Sequence, residues 1–218
     1  MKPKIYLNIL NKQQLQILPH IKQFYPAYYL VGGTAIALQL GHRASIDFDL
    51  FTFENKNNQI SSAKLLKQFP GKVKVLSESK DQSHYIVNGV KVSFVNFPHK
   101  IPAKAMIDKI KIPELLTLAA MKAFAIGRRA KWKDYVDIFF ILKSGITLEQ
   151  IIEKAVLLFN TKKNILFNQR VFLEQLNYFE DINYDEEVIY FGELKPSEKA
   201  VKKYLVNETV SFLKLKTM

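Results

Sequence analysis

The chain has no cysteine, a single tryptophan and only four arginines among its 32 basic residues. Without cysteine there is no disulfide bond, no thiolate zinc site and no cysteine nucleophile. No apolar run approaches the ~20 residues that a membrane span needs, and the first ten residues lack the apolar stretch of a signal peptide. We therefore expect a cytoplasmic protein without a membrane segment.

What the chain does have is hydrophobic residues and positive charge. Of its 218 residues 48% are hydrophobic, which is enough for a real core, and the net charge is +12. A lysine excess can be mere compositional bias. However, residues 100–133 hold nine basic and two acidic side chains, and residues 174–198 hold eight acidic and one basic. This uneven distribution favours a polarised surface and a polyanionic partner.

The most informative stretch, residues 28–51, is expected to fold as strand, turn, short helix and strand. The alternation of a strand places Asp47 and Asp49 on one face, where two carboxylates call for a cation such as Mg²⁺. Gly32 and Gly33, with the helix start at Thr34, offer backbone N–H groups to a phosphate. Alone, the Gly-Gly pair could be a common turn, and the carboxylate pair could lie on a solvated edge strand. The two features together favour phosphoryl or nucleotidyl transfer.

The same stretch resembles the signature of the AbiEii/AbiGii toxin family, nucleotidyltransferases of the polymerase-beta-like superfamily. The matching residues are Leu30-Val31-Gly32-Gly33-Thr34-Ala35, Gly41-His42-Arg43, Ser45, Asp47, Asp49 and Phe51. The resemblance implies an α+β fold in which a small mixed β-sheet with helices is followed by a helical C-terminal region. We expect a nucleotidyltransferase core at 1–112 and a helical region at 113–218 that completes the active-site cleft.

The resemblance also implies a reaction, the transfer of a nucleoside monophosphate from an NTP with Mg²⁺ or Mn²⁺ as cofactor. Asp47 and Asp49 would hold the metal, and Gly32, Gly33 and Thr34 would bind the phosphates. Arg43 either holds the triphosphate or pairs with Asp47. A cognate antitoxin is a candidate partner.

A third carboxylate, usual in this superfamily, is missing at the expected place. Asn88-Gly89 is a strong hairpin signal, and on the strand that follows it the matching position is Ser93. Because a hydroxyl is a poor metal ligand beside a carboxylate, two outcomes stay open. The site either binds a second metal only weakly, or has lost turnover and kept a nucleotide pocket.

A second set of candidates lies on two consecutive helices. Lys122 sits in a nearly all-apolar helix that starts at Pro113, so it either extends to solvent or neutralises a buried anion. Asp134 and Asp137 open the next helix, where capping alone would explain them. The resemblance favours a functional role for Lys122 at the triphosphate. It also favours Asp134 as a general base or as the group that orients Lys122, with Asp137 structural.

The remaining predictions concern secondary structure and one loop. The basic loop 127–133 contacts phosphate and stacks Trp132 on a base, or is a solvated turn with a packed indole. Helices are predicted at 11–24 (with Leu15, Leu18, Ile21 and Phe24 inward), 59–69, 147–159, 167–179 and 197–213, a strand at 72–76, a loop at 55–58 and a connector at 101–112.

These observations converge on a Mg²⁺-dependent nucleotidyltransferase with NTP as substrate. The acceptor stays open among RNA such as tRNA, a protein hydroxyl and a small molecule. One alternative is a non-catalytic nucleotide- or RNA-binding module on a degenerate transferase fold, with Ser93 as its motivating residue. Another is an antibiotic-modifying nucleotidyltransferase, against which the basic segment 100–133 argues, because cationic drugs favour an acidic cleft.

Overall fold

The structure is a computed structural model that describes residues 5–25, 27–53, 65, 67–69, 71–103, 105–107 and 109–217. The chain divides into two compact units, Met1–Glu114 and Leu115–Met218. Within the described part, none of the helices combines the length and apolar character needed to cross a bilayer. The predicted loop at 55–58 and most of the predicted helix at 59–69 lie outside the described residues.

The first unit is built on a five-stranded mixed sheet with the strand order β1-β2-β5-β4-β3. Its strands are β1 (Tyr29–Val31), β2 (Phe48–Thr52), β3 (Val73–Glu78), β4 (Gln82–Val87) and β5 (Val90–Asn96). Strands β2 and β5 run parallel, and the other neighbours run antiparallel. The small mixed sheet expected from the sequence is confirmed.

One face of this sheet is the core of the unit. Phe48 and Leu50 of β2 are 0% exposed and alternate with the more accessible Asp49, as the two-residue period of a strand requires. Strands β4 and β5 are joined at Asn88 and Gly89, whose φ angles of 50° and 81° belong to the turn type that matches strand twist. This hairpin fixes which residues of β4 and β5 face each other.

Helices α1 (Lys12–Ile21) and α2 (Gly32–Leu40) accompany the sheet, with 3₁₀ turns at Leu7–Ile9 and Lys22–Phe24. Helix α1 starts with a capping box between Asn11 and Gln14. Its inward face differs from the prediction, since Leu15 is 45% exposed and Ile17 is buried instead. Gln14 is also fully buried, because its amide donates to the Ser45 carbonyl at 2.7 Å. A polar anchor thus sets the rotation of the helix.

The segment predicted as a connector contains two short strands, so that prediction was wrong. Strands β6 (Ala105–Ile107) and β7 (Ile110–Ile112) pair antiparallel in a separate ribbon. Ile110 and Ile112 are both 0% exposed, and the ribbon turns near Lys109 at a positive φ of 63°. The burial of two β-branched side chains outweighs the basic residues that suggested an irregular chain.

In the part that the structure describes, the second unit is formed by helices. They are α3 (Leu115–Ile126), α4 (Trp132–Lys143), α5 (Leu148–Phe159), α6 (Gln169–Gln175) and α7 (Glu198–Thr217). Thr147 caps α5 through the capping box predicted from the sequence, and Asn168 caps α6. The helical C-terminal region implied by the resemblance is therefore confirmed.

Helix α2 ends at Gly41 for a reason that can be tested. Gly41 adopts φ +66°, and a Cβ there would lie 2.5 Å from Cδ1 of Tyr6. Gly71 has a matching φ of +68° but no atom within 4 Å of that position. We expect Gly71→Ala to lower the free energy of unfolding by about 1 kcal/mol through backbone strain alone. Gly41→Ala should cost about 2–4 kcal/mol, because the clash adds to the strain.

Urea unfolding of the two variants beside the parent chain measures both values. Equal losses would mean that Tyr6 moves aside without cost and does not restrain the end of α2.

Candidate active site

The junction between β1 and α2 is shaped by the close approach of a carboxylate. Gly32, the first residue of α2, has φ +72°, and a Cβ on it would lie only 2.5 Å from Oδ2 of Asp49. No side chain fits there, and no other residue type adopts this backbone readily. The Asp49 carboxylate therefore lies against the N-terminal end of α2, where the helix dipole favours negative charge.

The second glycine makes room for a cation. A Cβ on Gly33 would lie 2.4 Å from Nη2 of Arg43. Arg43 is only 4% exposed, and its Nη1 donates to the Ala44 carbonyl at 2.9 Å. The two glycines thus accommodate two charged groups of the chain itself, one of each sign, beside the same helix start.

Thr34 fixes the loop that carries the other candidate ligand. Its hydroxyl donates to the Asp47 carbonyl and lies 2.8 Å from Oγ of Ser45. Because a hydroxyl has one proton, Ser45 must then donate to Thr34. Thr34 is 2% exposed, so what it can offer a phosphate is its backbone N–H. Its side chain serves instead to hold Asp47 in place.

The sheet register places Ser93 directly beside Asp49. The two residues are paired across the parallel strands β2 and β5, so their side chains lie on the same face of the sheet. On the other side of Ser93, His84 of β4 is its antiparallel partner, and Nδ1 of His84 lies 3.0 Å from the Ser93 hydroxyl. Asp49, Ser93 and His84 therefore form one row across three strands.

The donor set fits a hard divalent cation that is completed by a substrate. Among the described residues no group of three or more His, Cys, Asp or Glu side chains could hold a metal. Asp49 lies on β2 and Asp47 is the residue before that strand, so only Asp49 is placed by the sheet register. Mg²⁺ is commonly bound through one or two carboxylates plus substrate phosphates. The N-terminus of α2 and Arg43 supply the positive environment that such phosphates need.

The second unit contains a buried ion-pair cluster. Lys122 of α3 is 5% exposed, and its Nζ lies 2.8 Å from Oδ1 of Asp134 and 2.9 Å from Oδ2 of Asp137. Both carboxylates are 0% exposed, and Nε of the half-exposed Arg129 lies 3.2 Å from the remaining Asp134 oxygen. Asp134 and Asp137 are three residues apart on α4, so both face α3. Two cations and two anions balance within the cluster.

This geometry corrects two expectations. Helix α4 begins at Trp132 with Lys131 at the cap position, so Asp134 lies inside the first turn and is not the cap. Lys122 does not extend to solvent, since it neutralises a pair of buried carboxylates. Asp137, expected to be only structural, contacts Lys122 as closely as Asp134 does. The structure thus brings Lys122 and Asp134 together and adds Asp137 and Arg129 to them.

The basic loop before α4 is attached to the acidic segment that follows later in the chain. Trp132 is 7% exposed and stacks on Tyr135, which agrees with a packed indole. Lys131 and Lys133 both bind Glu186. Burial alone would raise the pKa of Glu186, but hydrogen bonds from Lys131 and Lys133 lower it to about 2. Basic side chains of one segment thus form ion pairs with an acidic side chain of the other. This pairing reduces the separation of charge on the surface that the sequence predicts.

Sequence reasoning did not single out Arg129 or His84, and it gave Asp137 a structural role only. Asp137 and Arg129 join Lys122 only through the packing of α3 against α4, which no local pattern specifies. His84 could have been found. The Asn88-Gly89 turn pairs residue 87 with 90, and counting back along both strands places His84 opposite Ser93.

Removing the cation of the buried cluster should destabilise the second unit. We expect Lys122→Met to lower the free energy of unfolding by about 3–5 kcal/mol, because two buried carboxylates lose their neutralising partner. The exposed Lys162 is a matched control, and Lys162→Met should change stability by less than about 0.5 kcal/mol. Chemical denaturation measures both, and a stable Lys122→Met variant would show that the cluster is not needed for the fold.

Glu186 predicts a pH effect whose sign follows from its lowered pKa. A carboxylate with a folded pKa of about 2 stabilises the fold above its ordinary value of 4.5, and this stabilisation is lost as pH falls through about 2. Between these limits the parent chain should lose stability more steeply than Glu186→Gln. Thermal unfolding across that range measures the slopes, and parallel slopes would contradict the prediction.

Comparison with known proteins identifies the family of the chain. A family model described as "Nucleotidyl transferase AbiEii toxin, Type IV TA system" matches residues 16–203. An uncharacterized protein of Aquifex aeolicus (strain VF5) is 36% identical over 135 residues, which are 59% of this chain and 64% of that protein, so less than two thirds of its length is spanned.

A solved structure is similar in fold. It is MenT4, a nucleotidyltransferase toxin from Mycobacterium tuberculosis H37Rv, with a TM-score of 0.52 and 14% identity over 84% of this chain and 74% of that one. At this identity the likeness concerns the fold alone. The family model, by contrast, covers well over half of the sequence, and the chain therefore belongs to the AbiEii family of nucleotidyltransferase toxins.

Proposed function

We propose that this chain transfers a nucleoside monophosphate from an NTP to an acceptor hydroxyl. The observation that supports it best is the arrangement at the start of α2, where Gly32 admits the Asp49 carboxylate and Gly33 admits the Arg43 guanidinium. A carboxylate and a buried cation beside a helix N-terminus suit a metal–triphosphate substrate. Membership of a nucleotidyltransferase family agrees with this reaction.

The cofactor in this proposal is Mg²⁺ or Mn²⁺, held by Asp47 and Asp49. When bound, such an ion neutralises phosphate charge and orients the α-phosphate for in-line attack. The chain's own residues do the rest. Thr34 holds the backbone of Asp47, and the N–H groups of Gly32 and Gly33 bind phosphate oxygens.

Lys122 and Asp134 complete the proposal as residues that act in the same reaction. The family resemblance assigns them a role, and their burial together as an ion pair is consistent with a lysine held at a defined position. Asp134 and Asp137 both contact Lys122, so we propose that they orient it. Because the same contacts stabilise the fold, activity measurements on these variants need a stability measurement beside them.

For the acceptor we favour RNA, such as tRNA. The net charge of +12 is concentrated in the first unit, since residues 1–114 hold 16 basic and seven acidic side chains. A positive surface next to a nucleotidyl-transfer site suits a polyanionic acceptor. The toxin family further suggests an antitoxin as partner, and a reaction that consumes NTP suggests the cytoplasm as its place.

The second candidate function is nucleotide binding without turnover. Ser93 stands beside Asp49 at the position where a further carboxylate would strengthen a metal site. Lys122 is also neutralised by two carboxylates, which weakens its attraction for a triphosphate. Both observations would suit a pocket that still binds the nucleotide but no longer transfers it.

Labelled-nucleotide transfer distinguishes the two functions. The parent chain is incubated with Mg²⁺ and each α-³²P-labelled NTP in the presence of total RNA, total protein or an aminoglycoside. We expect label in RNA, and Asp49→Asn should reduce its rate by at least about 10²-fold, the scale of removing one electrostatic stabilising group. The exposed Asp81 provides the matched control, and Asp81→Asn should leave the rate unchanged.

Calorimetry with Mg²⁺ and a non-hydrolysable NTP completes the test. Tight binding by a parent chain that labels none of the three acceptor pools would favour the second function. Transfer that survives Asp49→Asn would show that the metal ligands are assigned wrongly.

A further inference from the structure

The Ser93–His84 pair is built into the candidate site but has no part in the reaction as proposed so far. Ser93 is one strand spacing, about 4.8 Å, from Asp49 across the parallel pair β2–β5. His84 lies on the far side of Ser93, and its Nδ1 is 3.0 Å from the serine oxygen, a normal hydrogen-bond distance. The pair thus extends from the metal-binding carboxylate toward the next strand.

The two ends of this pair differ in their access to solvent. Ser93 is 3% exposed, whereas His84 is only half-buried. A proton delivered to the buried serine can therefore leave through the imidazole, which reaches solvent. A serine hydrogen-bonded to a histidine can pass its proton to the imidazole, as it does where the histidine acts as a general base.

We propose that His84 accepts, through Ser93, the proton of the acceptor hydroxyl during nucleotidyl transfer. The proposal rests on the nucleotidyltransferase function above and concerns the position where a third carboxylate is absent. Ser93 meets the acceptor oxygen, and His84 acts through Ser93 as a positioning residue. A neutral Ser–His pair in place of a carboxylate also removes one negative charge from beside Asp49.

The step balances as follows. The acceptor oxygen forms a bond to the α-phosphorus of the NTP, and the bond from that phosphorus to the bridging oxygen breaks, so that pyrophosphate leaves. The acceptor proton passes to Oγ of Ser93 as the proton of Ser93 passes to Nδ1 of His84. The imidazolium then releases one proton to solvent, and exchange of its ring protons with solvent returns the imidazole to the form with Nε2 protonated and Nδ1 free.

Among the described residues, few other charged groups lie on this face of the sheet, and they lie to one side of His84. Lys91 of β5 and Lys74 of β3 are both paired with Ile86 of β4, two residues from His84 along the strand. The partner of His84 on β3 is Ser77, which carries no charge. Asp49 lies beyond Ser93 on β2. Within the described residues of these strands, Ser93 is thus the group that links His84 to the metal-binding end of the row.

Kinetics of four variants test the relay on the full chain, with the labelled-NTP assay and its three acceptor pools. His84→Gln and Ser93→Ala should each lower kcat about 10²-fold with an unchanged KM for the NTP. The double variant should lose no more than either single one, because both act in one step. Exposed His20 is the matched control, and His20→Gln should keep the parent kcat.

A rescue variant separates the relay from a structural role. Ser93→Asp, introduced into the His84→Gln chain, should recover activity at least about tenfold, because it restores a carboxylate that can take the proton directly. Should His84→Gln fail to fold, Ser93→Ala and Ser93→Asp give the same comparison.

The outcomes distinguish failure of the relay from failure of the enzyme. A parent chain that labels no acceptor overturns the proposed function and the relay with it. A parent chain that transfers normally, with His84→Gln unchanged in kcat, overturns the relay alone. NMR of the imidazole nitrogens gives an answer independent of turnover. The relay requires neutral His84 protonated at Nε2, and a proton on Nδ1 contradicts it.

Discussion

The contact between the Asp49 carboxylate and the backbone of Gly32 is the constraint on which the candidate site depends. It requires a positive φ at Gly32 and the absence of a side chain there, and it brings a negative charge to the positive end of α2. Once Asp49 is fixed in this way, the sheet register determines the rest of the row, because its strand neighbour must be Ser93. One backbone contact thus aligns a helix start, a candidate metal ligand and two further strands.

The second unit uses charge differently. Its cluster of Lys122, Asp134, Asp137 and Arg129 is balanced in charge and, Arg129 apart, is withdrawn from solvent. Such a cluster contributes little net stability compared with an apolar core, yet removal of one member is costly. It therefore specifies how α3 and α4 meet. A lysine held in this way has a defined position, but its charge is neutralised by its two carboxylate partners.

The sequence predicted well what depends on neighbouring residues. A few consecutive residues determine the hairpin at Asn88-Gly89, the capping box at Thr147 and the end of α2 at Gly41. Each of these features is found in the structure. The resemblance to a known family gave the mixed sheet and the helical region that follows it. Asp49, Arg43 and Lys122 were named as candidate residues from the sequence, and their roles in a reaction stay predictions.

What could not be predicted depends on contacts between distant segments. The rotation of α1 is set by a buried glutamine, Gln14, which an apolar stripe cannot reveal. Asp137 looked like a residue of a helix start, because its partner Lys122 lies on another helix. Trp132 could equally stack on a base or on Tyr135, and only the folded chain distinguishes these. Local patterns state what a residue is able to do, and tertiary packing selects among the options.

The uneven charge of the two units has a consequence for their response to ionic strength. Residues 1–114 carry a net charge of +9 and residues 115–218 carry +3. Self-repulsion in the first unit is screened by salt, whereas a buried, balanced cluster such as that around Lys122 is screened much less. Added salt therefore reduces self-repulsion in the first unit, and it leaves the packing of α3 on α4 almost unaffected. The same screening would weaken the attraction of the first unit for a polyanionic acceptor such as the one proposed.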